Sequence, residues 1–328
     1  MSTLAPGGPT NSHLSITSDH PPQGESVESG VDTWRLVRYL DDHEMAFAQA
    51  RCSQRVRRGF LAPEPIAGHR VGVSPAHRML FMEGHPAVEG LAAVSDLCKA
   101  EATVLRALSD DHWPIGQDGG VSRMDQTVTL RFADPREGQV FLAGVAALDV
   151  PRCKPVIWGR PPETVYFAAE LSGKTLARVY DKGLESNSAP RGQLIRLENQ
   201  SRYTKEARLP VSAFDEVPAF VSNKFQRRFA PLAESAQGLT AATLPILAQR
   251  IGEKVAAGEL TTRQAERIAG YLLVGQQASR SYAPATRTRR RRELRQHGFV
   301  LANPLSDPLE VDLGAALDEA LAAWSRDA

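Results

Sequence analysis

The sequence predicts an α+β fold: a mostly antiparallel sheet domain with flanking helices, followed by a helical, basic carboxy-terminal region. Three observations predict it. Residues 121–132 (VSRMDQTVTLRF) alternate between apolar and polar side chains. Residues 164–182 hold two alternating runs around a Ser172-Gly173 turn. From about residue 239 the apolar spacing becomes helical.

Taken in order, residues 1–30 contain four Pro, four Gly and six Ser with few apolar residues, and predict a disordered leader. Asp32-Thr-Trp-Arg-Leu-Val-Arg-Tyr opens the ordered part as a strand. Residues 71–83 predict one or two short strands. Residues 87–109 predict a helix with Val88, Leu91, Val94, Leu97 and Ala102 on one side, and the Pro- and Gly-containing stretch 111–120 a loop. In 121–132, Met124, Val128, Leu130 and Phe132 share one face with Gln126, while Arg123, Asp125, Thr127, Thr129 and Arg131 share the other. Asp134-Pro135 reads as an N-cap and a first-turn proline opening a helix over about 135–148.

Residues 164–170 and 175–182 form the hairpin, with Leu176, Arg178, Tyr180 and Lys182 pointing one way. A polar loop at 183–191 leads to a strand at 193–199 on which Leu194, Arg196 and Glu198 share a face. Residues 240–257 and 261–277 predict a helix pair joined near Gly258. It is either a helix-turn-helix that reads bases or a pair packed in a core. Residues 287–297 predict a basic helix stopped by Gly298, and about 309–325 an acidic amphipathic helix. The expected organisation is a leader at 1–30, an α+β domain at 31–230, a helical DNA-binding region at 231–300 and an acidic tail helix at 301–328.

Composition excludes several classes. The chain has 328 residues, 42% hydrophobic and 23% charged, enough for a sizeable core and about two domains. No apolar run approaches the ~18 residues of a spanning helix, so no membrane is expected. The first basic residue is Arg35, which leaves no positive region for a secretory signal. Cys52, Cys98 and Cys153 match no zinc spacing and suggest no disulfide scaffold, so a reducing, cytoplasmic setting is expected. None of the eight histidines forms a His-hydrophobe-His pair or an i,i+4 zinc pair, and no GxxxxGK[ST] loop occurs, so no ATPase is expected in this chain.

The net charge of +1 hides a strong segregation. Residues 1–30 carry −3, residues 221–300 carry fourteen Lys/Arg against five Glu, and residues 301–328 carry six acids against one Arg. A block of that sign is either a footprint for a polyanion or a solvated basic face. Arg287, Arg289, Arg290, Arg291, Arg292 and Arg295 wrap most of one short helix, and phosphate contacts are their natural use. The acidic tail is expected to fold over this helix when DNA is absent.

Three strands therefore each present a polar cluster: Arg123/Asp125, Arg178/Tyr180/Lys182 and Arg196/Glu198. As neighbours with coincident faces, they would gather carboxylates able to hold a divalent cation, guanidinia to neutralise a phosphodiester, and a phenol whose phenolate the flanking cations stabilise. The competing reading is an exposed polar sheet face with surface ion pairs. Tyr166 and Tyr203 are the alternative nucleophiles.

The segments S-R-M-D at 122–125, T-V-Y-F at 164–167, S-G-K-T-L-A-R-V-Y-D-K-G at 172–183 and L-I-R-L-E at 194–198 occur in an order that resembles the rolling-circle replication initiation proteins of filamentous phages (gene II type) and related plasmid initiators. F-M-E-G-H-P at 81–86 and R-R-R-R-E-L-R-Q-H-G-F at 289–299 add local similarity. The resemblance implies nicking of one strand at an origin, with a 5′-phosphotyrosine link at Tyr180 and a free 3′-OH. It implies Arg178 and Lys182 as catalytic partners and Mg²⁺ or Mn²⁺ held by Asp125 and Glu198, with Asp32 and Glu83 as further ligands. Arg123 and Arg196 would hold DNA, together with Arg287, Arg289, Arg290, Arg291, Arg292 and Arg295. The implied partners are origin DNA, double-stranded and as the nicked single strand, and a separate host helicase and polymerase; monomer and homodimer are both open. Two positions depart from the pattern: the usual Tyr-x-Gly is Tyr166-Phe167-Ala168, and the second acidic position near the Arg-x-Asp strand is Thr129. The alternative is a non-catalytic DNA-binding regulator of replication or transcription that uses the sheet as scaffold.

Overall fold

Period-2 alternation builds one eleven-stranded sheet in the computed structural model, which describes residues 26–51, 54–56, 60–62, 69–84, 120–159, 161–167, 175–203, 209–210, 217–275, 284–302 and 307–326. The predicted helix at 87–109 lies outside these residues, as do the loop at 111–119 and most of the leader. The strands are β1 (Ser26–Tyr39), β2 (Gln54–Val56), β3 (Phe60–Ala62), β4 (Arg70–Ser74), β5 (Met79–Gly84), β6 (Gly120–Arg131), β7 (Val156–Trp158), β8 (Thr164–Tyr166), β9 (Thr175–Asp181), β10 (Leu194–Arg202) and β11 (Leu209–Pro210). Their order is β2-β3-β4-β5-β1-β6-β10-β9-β8-β7, with β11 also on β6, and every pairing is antiparallel. The expected mostly antiparallel sheet is thus present.

The leader ends earlier than its composition suggests. Ser26 to Gly30 continue β1 and pair with Arg131 to Thr127 of β6. The register of β1 on β6 shifts between Val31 and Thr33, so Asp32 occupies a bulge, which re-aims a side chain.

The helices are α1 (Asp42–Arg51), α2 (Pro135–Ala147), α3 (Lys182–Ser186), α4 (Val217–Ala236), α5 (Leu244–Ala256), α6 (Thr262–Gly275), α7 (Pro284–Gln296) and α8 (Leu313–Arg326). Asp41 and Glu44 make a reciprocal capping box before α1, each accepting from the other's backbone N–H (2.7 and 2.9 Å). Asp134 caps α2 by accepting from the Arg136 N–H at 2.9 Å, with Pro135 in the first turn, as the sequence predicts. Helix α2 passes the turn before β10 so closely that a Cβ at Gly138 would sit 1.8 Å from the Gly192 carbonyl oxygen. Gly192 itself has a φ of +90°, a conformation open to glycine.

The large core lies under the apolar face of the sheet. Trp34, Leu36, Met82, Met124, Val128, Val179 and Leu197 pack with Val140, Phe141 and Leu142 of α2, Phe225 and Phe229 of α4, and Leu313, Leu317 and Ala320 of α8. The acidic tail is therefore part of this core. Its helix α8 packs on α4 and on β1 and β6, and buries the stripe Leu313, Ala316, Leu317, Ala320 and Ala323. Burial of that stripe, rather than attraction to the arginines of α7, decides where the helix docks.

A small sheet of β12 (Thr240–Ala242), β13 (Phe299–Leu301) and β14 (Glu310–Asp312) joins this core to a second one. Residues 240–242 thus form a strand where the helical pattern predicts the start of a helix. The second core holds Leu247 and Ile251 of α5, Ile268, Tyr271 and Leu272 of α6, and Leu294 of α7. Gly258, at a φ of +75°, turns the chain between α5 and α6, and Gly298, at +84°, ends α7. Among the described residues no helix is long and apolar enough to cross a membrane.

Candidate active site on the polar face of the sheet

The three polar clusters are neighbours. Strand β10 lies between β6 and β9, and the register sets Glu198 opposite Thr127 and Arg178, and Arg196 opposite Thr129 and Tyr180. Residues directly opposite share a face, so the two β10 side chains stand between those of β6 and β9. On the far side of β6, Arg35 of β1 is opposite both Arg123 and Glu83 of β5.

This face is largely closed to solvent. Glu83, Asp125, Thr127, Thr129, Tyr180 and Glu198 are all buried, while the arginines above them stay partly open. An exposed sheet face with surface ion pairs does not describe it. A buried carboxylate costs several kcal/mol unless it is paired and hydrogen-bonded, and here each acid has an arginine.

Glu198 accepts from Arg178 Nη2 at 2.8 Å and from the Tyr180 hydroxyl at 3.0 Å, both on Oε2. Arg178 also lies over the Tyr180 ring, its guanidinium carbon 4.1 Å from the centroid. Asp125 accepts from Arg123 Nε at 3.0 Å and Nη2 at 2.5 Å, a two-pronged pair. Arg196 donates to Thr129 Oγ1 at 2.9 Å and to Asp32 Oδ1 at 2.7 Å. Arg35 is ion-paired to Glu83, with its Nε donating at 2.8 Å, and Arg70 stands 3.9 Å from the same carboxylate.

The phenol differs from its expectation. Burial pushes the Tyr180 pKa well above the ordinary tyrosine value, and the Glu198 charge pushes in the same direction, while Arg178 and Arg196 oppose them without prevailing. Flanking cations alone would have favoured the phenolate. Burial is the largest influence and works against the Arg178 charge, but the bond to Glu198 and the charges of Glu198, Tyr180 and Glu185 together outweigh it and raise the pKa. Desolvation raises the Asp125 carboxyl above the usual range against the opposing effect of Arg123. Arg123 is itself raised: burial, the largest influence, opposes its charge, and the Asp125 bond together with the charges of Asp125, Glu83 and Glu198 overcomes it.

Lys182 is not on the β9 face. Asp181 ends the strand as an N-cap, its side chain accepting from Leu184 N–H at 3.0 Å and from Gly192 N–H at 2.7 Å. Lys182 is then the first residue of α3 and pairs with Glu185 at 3.0 Å, and Glu185 stands 3.4 Å from Arg178. The alternative nucleophiles are placed apart from Glu198's hydroxyl bond: Tyr166 stands opposite Arg178 on β8, and Tyr203 lies past the end of β10.

The four proposed metal ligands do not converge. Asp125 and Glu198 are diagonal neighbours across β6 and β10, close enough for the Glu198 charge to act on Asp125. Asp32 is turned onto Arg196 and Glu83 onto Arg35. Among the described residues no group of three or more His, Cys, Asp or Glu could hold a metal ion. A hard cation needs several oxygen ligands, and this arrangement spends each carboxylate on a guanidinium, so the set does not fit a divalent ion.

Spacing alone does not reveal four residues around the site. Arg35 sits in period-2 alternation with Thr33, but its partner Glu83 is 48 positions away and is brought opposite it only by strand pairing. Glu185 lies in a stretch read as loop. Gln200 and Arg202 continue the alternation of β10 past the point where the strand was expected to end, opposite Asp125 and Arg123.

The basic helix is present, with Leu294 buried in the second core. Arg290 is paired with Glu293 at 2.7 Å, and Arg295 stands 3.5 Å from Asp149. Arg289, Arg291 and Arg292 are exposed and have no ion pair among the described residues. The side chain of Arg287 lies outside the described ones.

No family model matches the chain, and no curated protein does. Among solved structures, the rolling circle replication initiator protein from Geobacillus stearothermophilus is similar over 62% of this chain and 85% of that one, at 12% identity and a TM-score of 0.32. The heterotetrameric sarcosine oxidase from Corynebacterium sp. U-96, in complex with pyrrole 2-carboxylate, is similar over 64% and 84%, at 12% identity and a TM-score of 0.22. At such scores neither likeness carries an argument, and the fold stands on its own topology.

Proposed function

We propose that this chain nicks and rejoins one strand of DNA, as an initiator of rolling-circle replication, with Tyr180 as nucleophile and Glu198 as its base. The observation that carries this reading is one carboxylate oxygen, Glu198 Oε2, shared by the Tyr180 hydroxyl and Arg178. A phenol with a raised pKa remains protonated at neutral pH and needs a base within hydrogen-bond reach, and Glu198 is so placed. The phenolic oxygen attacks phosphorus as Glu198 takes its proton. The bond to the 3′-oxygen breaks, and the proton passes to that leaving oxygen. A 5′-phosphotyrosine and a free 3′-OH result, and reversal rejoins the strand without ATP.

Arg178 roofs the tyrosine ring in the free protein. Its move onto a phosphate oxygen uncovers the phenol and neutralises the developing charge. Arg196 and Arg123 extend that cationic row, and the exposed arginines of α7 hold the duplex. Mg²⁺ or Mn²⁺ belongs to the resemblance, and no step here is routed through either. A polymerase using the 3′-OH and a separate helicase follow from the same reading.

The test incubates wild type and Tyr180→Phe with supercoiled plasmids bearing candidate origins, with Mg²⁺, with Mn²⁺ and with chelator. Wild type is expected to give a covalent protein–DNA adduct mapping to Tyr180, and the variant to bind origin DNA without one. Burial of Tyr180 favours a second reading, a DNA-binding regulator without catalysis. Tight origin binding with no nick under any of these conditions would establish it instead.

A further inference from the structure

The sheet edge next to Tyr180 carries the two most exposed large apolar side chains described, Ile157 at 47% and Trp158 at 64%. Both belong to β7, the terminal strand, where sheets usually place charge or proline to prevent edge pairing, yet Val156-Ile157-Trp158 contains neither. The register explains where they point. Trp158 is opposite Thr164, Thr164 opposite Tyr180, and Tyr180 opposite Arg196. Trp158 therefore stands on the same face as the phenol, two strand spacings away, about 10 Å. In the next row Tyr166 is opposite Arg178, and the Trp158 and Tyr166 rings meet edge to face with centroids 6.5 Å apart.

The chain leading through β7 is cationic, and the next acid along it, Glu163, is ion-paired with Arg191 at 3.3 Å. Residues 151–162 (PRCKPVIWGRPP) contain Arg152, Lys154 and Arg160 and no acid. Arg152 and Lys154 are exposed and have no ion pair among the described residues. Exposed aromatic rings interleaved with cations are the chemistry that stacks unpaired bases while tracking a phosphate backbone. A second copy of the chain pairing along β7 would use the edge, but it gives no role to these cations and brings them against their own kind.

We infer that Trp158 and Tyr166 form a stacking platform for single-stranded DNA, which carries the unpaired strand from the Tyr180 phosphate across β8 to the sheet edge, with Arg152 and Lys154 on its phosphates. The link to Tyr180 rests on the nicking reading, whereas binding of the strand does not. Trp158→Ala should leave the fold intact, since most of the side chain faces solvent, and an unchanged denaturation midpoint checks this.

The experiment measures anisotropy of a labelled twelve-nucleotide oligo-dT and of an abasic strand of the same length and charge, with chelator so that nothing is cut. Wild type should bind oligo-dT more tightly than the abasic strand. Trp158→Ala should lose about tenfold on oligo-dT and nothing on the abasic strand, and Trp158→Phe should recover most of the loss. Equal losses on both strands, or none on oligo-dT, would overturn the platform. So would sedimentation showing that Trp158→Ala only dissolves a dimer of wild type. A platform that holds in a chain forming no adduct removes the nicking reading alone. A nickase whose oligo-dT affinity ignores Trp158 removes the platform alone.

Discussion

The polar face of the large sheet and the helix α7 are both rich in arginine, and they hold it in opposite physical states. On the sheet, Arg35, Arg123, Arg178 and Arg196 each meet a carboxylate at hydrogen-bond distance over a buried floor. On α7, Arg289, Arg291 and Arg292 face solvent without such partners among the described residues. Paired and half-buried guanidinia are fixed in direction and give little long-range field. Solvated ones are loose and act at a distance. On the proposed function, the sheet would orient a phosphate and the helix would attract one.

Variants can break that contrast, from the largest expected effect on stability to the smallest. Glu198→Ala leaves the Arg178 guanidinium and the buried Tyr180 hydroxyl without their shared acceptor. The expected loss is about 3 kcal/mol, the low end for a broken buried pair, because Arg178 stays partly open and has Glu185 3.4 Å away. Denaturant unfolding measures it. A loss under 1 kcal/mol would make the face an ordinary surface.

Asp125→Asn sharpens the contrast through pH. The folded Asp125 pKa lies above its ordinary value because of desolvation, so the native state holds this proton more tightly than the unfolded one. Its contribution is therefore largest at low pH and is lost as pH rises from the ordinary aspartate value through the raised one. The difference between wild-type and Asp125→Asn stability should fall across that window and then level off. Denaturant midpoints at a series of pH values follow it, and a difference that rises with pH would reverse the assignment.

The triple change of Arg289, Arg291 and Arg292 to Gln should shift stability by less than about 0.5 kcal/mol, since no partner is lost. It should instead flatten the salt dependence of duplex binding, by about 0.9 in log–log slope for each phosphate contact removed. Titrations across salt concentrations give the slope, and an unchanged slope would place the duplex elsewhere.

Local pattern made the three strands of the site legible: the alternation of 121–132 and of 193–199 survives in β6 and β10, faces included. Asp134-Pro135 likewise announces α2. The Arg123–Asp125 pair lies along one strand face and is legible, whereas the cross-strand partners are not. Which arginine meets Asp32, Glu83 or Glu198 depends on cross-strand register and on the bulge in β1, and both are set by pairing between distant segments. Lys182 was misplaced because alternation runs unbroken through Asp181, whose side chain caps α3 and stops the strand. The apolar stripe of α8 is visible as a pattern, but its neighbour is not, and counting charges points to the wrong one.

Helix α8 lies against β1, so the first described strand is completed by residues some 280 positions later. Contacts of such long sequence separation form slowly and cannot form before the ribosome has released residues 313–326. Until then the part of the apolar underside that α8 covers on β1 and β6 stays open. Nascent chains halted short of α8 leave that face open and should be held by chaperones.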